Sequence, residues 1–113
     1  MDDPDNIIFR YTSEDAVNDG IKIRLAPDIY CTTNLARRLA PADTEVGFHY
    51  GRLVNTVIAP LLARWRAGVY FDPGATQWPE EADRHFAIYT VGSEIVWVIE
   101  DGEGLHFILP EDY

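Results

Sequence analysis

The chain has 113 residues, 47% hydrophobic and 25% charged, with 19 acids against 9 bases and a formal net charge of −10. That mixture argues against disorder and fits one globular domain over 1–113, with Met1–Asn6 as a polar frayed tail. A single cysteine excludes an intrachain disulfide and a thiolate zinc cluster; the absence of a basic-then-apolar leader or a run of roughly 20 apolar residues leads us to expect a cytoplasmic protein with no membrane contact.

Ile7–Tyr11 predicts a first strand. Ser13 then reads as an N-cap, with Glu14 and Asp15 in the first turn of a short helix that Gly20 stops. Ile21–Leu25 alternates apolar and basic residues until Pro27, and Ile29–Cys31 is a short extended piece. Thr32 or Thr33 caps a second short helix over Asn34–Ala40, closed by Pro41. From about Val46 to Ala67, the apolar residues Tyr50, Leu53, Val57, Ile58, Leu61 and Trp65 recur at helical spacing and predict one long amphipathic helix ended by Gly68. Pro60 lacks an N–H, so a kink is expected near Thr56–Pro60. Asp72–Asp83 reads as a loop.

A three-stranded antiparallel meander follows, over Arg84–Val91, Glu94–Glu100 and Leu105–Leu109. A two-residue turn at Gly92-Ser93 pairs Tyr89 with Val96, and a turn over Asp101–Gly104 pairs Val98 with Phe107 and Ile99 with His106. One face then collects Phe86, Ile88, Trp97, Ile99, His106 and Ile108, and the long helix is its natural cover. The other face, with Ala87, Tyr89, Val96, Val98, Leu105, Phe107 and Leu109, is also apolar and wants cover, from the N-terminal elements or from a second copy of the chain. A three-residue loop at Gly102–Gly104 would slip the last strand by one residue and turn all its side chains over, and the pattern leaves both registers open. The fold class is α+β either way.

No strong catalytic motif is present. His85 stands opposite Glu100, about 5 Å away between Cβ atoms. In the slipped register His106 joins them, and two imidazoles with a carboxylate can hold a divalent metal or exchange protons. The competing reading is a surface His–Glu pair plus a buried histidine, and it implies no metal and no cofactor. His49 reads as a boundary residue of the long helix. Cys31, just before a helix start, is either an activated thiol or a small buried apolar residue. The only serines, Ser13 and Ser93, read as a cap and a turn, and neither a calcium loop nor a phosphate-binding glycine loop is present.

The charge is laid out in blocks. Residues 1–20 hold six acids and one base, residues 21–66 hold seven bases and three acids, and residues 67–113 hold ten acids and one base. Arg37, Arg38, Arg52, Arg64 and Arg66 are a phosphate-contacting set or solvated helix faces, and the overall charge opposes nucleic acid. The acids Glu80, Glu81, Asp83, Asp101 and Glu103 around the meander are candidate protein contacts, because spaced carboxylates on a rigid scaffold imitate a phosphate row.

Tyr11-Thr12-Ser13-Glu14-Asp15-Ala16-Val17-Asn18-Asp19-Gly20 resembles the opening Y-T-x-x-x-A-x-x-D-G of a family of small uncharacterised bacterial and phage proteins. The resemblance extends to Thr32-Thr33, the central helix and the closing Ile108-Leu109-Pro110-Glu111-Asp112, with a shorter segment after Gly20. It implies a gene carried on phages and mobile elements, and no known activity. The resulting expectation is a non-enzymatic accessory protein that docks its acidic meander on a basic host protein, such as a nuclease or a CRISPR-type defence complex, and inhibits it. The alternatives are a small-molecule or metal-binding enzyme built on His85 and Glu100, and a homodimeric interaction module.

Overall fold

The structure, a computed structural model, describes residues 12–40, 50–72 and 82–113. The strand expected at Ile7–Tyr11, the helix start before Tyr50 with His49, and Glu80 and Glu81 lie outside the described residues.

Helix α1 spans Ser13–Asn18, and its cap is Thr12, one residue earlier than expected. The Thr12 hydroxyl accepts from the Asp15 N–H at 3.1 Å, and the Asp15 carboxylate accepts from the Thr12 N–H at 3.0 Å, which satisfies two orphan donors at once. Gly20 ends the turn at φ +78°, a backbone state that costs glycine little. Strands β1 (Lys22–Ala26) and β2 (Ile29–Thr32) form an antiparallel hairpin around Pro27-Asp28. Thr32 then caps α2 (Thr33–Leu39) by accepting from the Leu35 N–H at 3.2 Å.

The central helix is not one regular helix. It runs as α3 (Gly51–Leu53), a π-helical turn over Val54–Ile58, and α4 (Ala59–Arg66). The Ala59 N–H reaches back five residues to the Val54 carbonyl. The extra residue per turn accommodates the missing N–H and the ring of Pro60, so the defect expected at Thr56–Pro60 takes the form of a widened turn. The Thr56 hydroxyl also donates to the Arg52 carbonyl at 2.6 Å.

Strands β3 (Phe86–Val91), β4 (Glu94–Asp101) and β5 (Gly104–Ile108) pair antiparallel in the unslipped register, with Tyr89 opposite Val96 and Ile99 opposite His106. They are not a free-standing meander. Strand β2 joins β5 in parallel, giving a five-stranded mixed sheet of order β1-β2-β5-β4-β3. The chain is thus a mixed α and β fold.

The helices sit on the face opposite to the one assigned from the pattern. Leu35, Ala36, Leu53, Val57, Ile58 and Leu61 pack on Ala87, Tyr89, Val96, Val98, Phe107 and Leu109. Ala87 and the valines leave a smooth surface for a helix, whereas Trp97 and Phe86 stand up from the other face. Strands β2 and β3 run parallel, and the helices lie in the connection between them. The hand of such a crossover is set by strand twist rather than by side chains. Val96, Val98, Leu105, Phe107 and Leu109, considered as a homodimer seam, are therefore buried within the chain itself. Ile88, Trp97 and Ile108 form a second, smaller cluster on the sheet's second face with Phe86, Ile95 and Ile99.

The closing segment is bolted to α2. The Asp112 carboxylate accepts from the Thr32 hydroxyl at 2.6 Å and the Asn34 amide at 2.9 Å, and Arg38 forms a forked pair with Glu111 at 2.6 and 2.9 Å. Among the described residues no helix is long and apolar enough to cross a membrane.

Among the described glycines, Gly104 is the one whose added Cβ would meet other atoms. It holds φ +135°, and a Cβ there would lie 2.3 Å from the Asp28 carbonyl oxygen. Gly104→Ala is expected to destabilise the fold by about 2 kcal/mol or more, whereas Gly102→Ala, which meets open space, stays within about 0.5 kcal/mol. Urea denaturation of both variants checks the contrast.

Candidate functional site

The parallel pairing of β2 with β5 sets Tyr30 beside His106 on the second sheet face, away from the helix-covered core. His106 is only 4% exposed, and the Tyr30 ring stacks on it with centroids 5.2 Å apart and planes 10° from parallel. Arg24 lies over the Tyr30 ring at 5.5 Å. Both nitrogens of His106 are occupied: Nδ1 lies 3.1 Å from Lys22 Nζ, and Nε2 lies 2.9 Å from Asp101 Oδ1. A lysine ammonium only donates, so Nδ1 is the acceptor, and the ring proton on Nε2 points at Asp101.

The chain of contacts closes on itself. Lys22 Nζ donates to Ser13 Oγ at 3.2 Å, Ser13 Oγ donates to Glu103 Oε1 at 2.7 Å, and the Ser13 N–H donates to Glu103 Oε2 at 3.0 Å. The Glu103 N–H returns to Asp101 Oδ1 at 2.8 Å. One ring of hydrogen bonds therefore ties α1, β1, β5 and the β4–β5 turn together. The Ser13 N–H, and then the Ser13 hydroxyl, hold the Glu103 carboxyl below its ordinary range. For Asp101, burial pushes upward, but the Glu103 N–H and His106 together outweigh it and the carboxyl also sits low.

Asp101, Glu103 and His106 each present a ligand atom, all within 4.8 Å of one another. That composition suits a divalent metal, but the tautomer set by Lys22 puts a proton, not a lone pair, on Nε2. Neither nitrogen is open to act as a general base in this arrangement. A cavity of about 330 Å³ adjoins the ring, lined by Lys22, Thr32, Ile99, Asp101, His106 and Ile108, among others. A second groove of about 550 Å³ runs between Pro27-Asp28, Trp65-Arg66 and the β4–β5 turn.

The residues singled out from sequence fall as follows. His85 Nδ1 is 3.2 Å from Glu100 Oε1, as their pairing implied, but Arg84 grips the same carboxylate at 3.0 and 3.2 Å. His106 faces the opposite side of the sheet from Glu100, so the His85–Glu100–His106 cluster is not assembled. Asp83 is exposed, and its Oδ1 accepts from the N–H groups of His85 and Phe86. Glu103 turns inward to Ser13, and Asp101 turns to His106 with half of its side chain still exposed. Of the arginine set, Arg38 pairs with Glu111 and Glu94, and Arg64 with Asp72. Cys31 is 1% exposed, and burial pushes its thiol up to about 12, which identifies a core residue and not a nucleophile. Lys22, Ser13 and Tyr30 were missed as site residues. The one signal was a lysine at an alternating strand position, and its partners lie far away in sequence.

No family model, no curated protein and no solved structure matches this chain.

Ser13→Ala is expected to cost about 1 kcal/mol at pH 7. Because the folded-state Glu103 carboxyl is depressed, its contribution is present above the ordinary carboxyl range and is lost as pH falls through the folded value. The gap between wild type and Ser13→Ala therefore narrows below about pH 4, which urea titrations at a series of pH values will read. Cys31 is expected to resist alkylation by iodoacetamide at pH 8 until the chain is unfolded, and mass spectrometry of native and denatured samples checks this.

Proposed function

We propose that this chain is a small acidic binding protein, without catalytic chemistry of its own, that docks on a basic surface of another protein. The observation that carries the reading is the charge: 19 acids against 9 bases. Three of those bases, Arg38, Arg64 and Arg84, are already taken up by the chain's own carboxylates. A field of this sign speeds association with a basic partner and repels nucleic acid. The resemblance of the Tyr11–Gly20 segment to small phage and bacterial proteins supports a mobile-element accessory role, and a host enzyme that handles nucleic acid is the partner class whose ligand such a charge imitates best. Inhibition of a defence nuclease or CRISPR-type complex is the sharpest form of the proposal.

The contact set changes in the light of the fold. Asp83 and the exposed half of Asp101 remain available, with Glu80 and Glu81 beside them in sequence, while Glu103 serves α1. The proposal predicts that the full chain retains a basic nucleic-acid-handling protein from a bacterial lysate at low salt, and that high salt or added duplex DNA displaces it. Charge reversal of Glu80, Glu81 and Asp83 to lysine is expected to weaken retention at least tenfold. Retention that ignores salt, DNA and the charge reversal overturns the reading.

A further inference from the structure

We propose that the cavity beside His106 binds a free α-amino acid with an aliphatic side chain. Two opposite charges are held there at a set spacing. Lys22 and Asp101 engage the two nitrogens of one imidazole, at 3.1 and 2.9 Å, so a cation and an anion stand on opposite sides of one ring, separated by its width and those two contacts, and both line the cavity. The α-ammonium and α-carboxylate of an amino acid span that separation with one charge-assisted hydrogen bond at each end, the ammonium on Asp101 and the carboxylate on Lys22. Both protein groups retain capacity. An ammonium has three donors, and Lys22 gives one to Ser13 and one to His106. The contacts of Asp101 with the Glu103 N–H and with His106 both fall on Oδ1, and half of its side chain is exposed.

The groups are held before any ligand arrives. Tyr30 stacks on the buried His106 ring, and the Ser13–Glu103 contact braces Lys22 from behind. Rotamers locked in this way lower the ordering cost of binding. The remaining wall selects the side chain. Ile99 and Ile108 supply hydrocarbon, and the mostly exposed Tyr113 stands beside them. Thr32 and Asn34, which both hydrogen-bond to Asp112, also line the cavity with it. A volume of about 330 Å³ lies at the small end of ligand pockets, as a single amino acid requires. The site shares Asp101 with the acidic docking surface but none of Glu80, Glu81 and Asp83, so the charge reversal that tests docking leaves the cavity lining unchanged.

The test is titration of the full chain with L-leucine, followed by isothermal calorimetry and by amide chemical shifts in NMR. Saturable binding is expected, with shifts centred on Lys22, Asp101 and His106. Isoamylamine, which lacks the carboxylate, and isocaproate, which lacks the ammonium, are each expected to bind at least about tenfold more weakly. Asp101→Asn and Lys22→Met should abolish binding, and Lys22→Arg, which keeps the charge and the fold, should retain part of it. No saturable signal with leucine at millimolar concentration overturns the proposal. So does equal binding of leucine and either analogue, or leucine shifts that spare His106.

Discussion

The parallel seam between β2 and β5 is the contact on which the rest of this molecule depends. It is made by three residue pairs, Ile29 with Leu105, Tyr30 with His106 and Cys31 with Phe107, and it is extended by the Leu105 N–H donating to the Asp28 carbonyl at 2.8 Å. The approach is so close at that end that only a residue without a Cβ fits at position 104. Through this seam the N-terminal hairpin and the C-terminal meander become one sheet. Each pair also does something different on the two faces. Cys31 and Phe107 join the helix-covered core, while Tyr30 and His106 stack on the other side.

Polar groups on this second face follow from that join. A buried imidazole needs both nitrogens satisfied, and here an ammonium and a carboxylate from different segments meet them. Glu103 serves the buried Ser13 N–H and hydroxyl at the start of α1, where a negative charge is favoured by the helix end, and so links the turn to the N-terminal helix. The same turn that reads as two free surface acids is thus an internal fastener. The second fastener, Asp112 on Thr32 and Asn34, holds the closing segment against the start of α2 and lines the cavity.

Tyr89 shows how the other face is closed. It is fully buried under the helices, its hydroxyl donates to the Val69 carbonyl just beyond α4, and burial pushes its pKa up to about 12. The Ile88 N–H and carbonyl pair with Tyr70 and Asp72, so the outer edge of β3 is covered for part of its length by the chain leaving the helix. A covered edge removes one route to strand-to-strand association.

Much of the local structure was legible in the sequence, because its causes are local. The two-residue turn at Gly92-Ser93 and the alternation of Ala87, Tyr89, Val96 and Val98 determined the pairing of β3 with β4. The helix stop at Gly20 and the disruption by Pro60 were readable from one residue each, and the opposition of His85 and Glu100 followed from the register. What the sequence left open was decided by contacts between distant segments. Both sheet faces are apolar, so no pattern states which one the helices cover; the path of the β2-to-β3 crossover decides it. The β2–β5 pairing links residues some 76 positions apart, for example Tyr30 and His106, and carries no short-range signature. Lys22, Ser13 and Glu103 therefore read as separate, solvated or capping residues in the sequence, and only the assembled sheet makes them neighbours around one buried histidine.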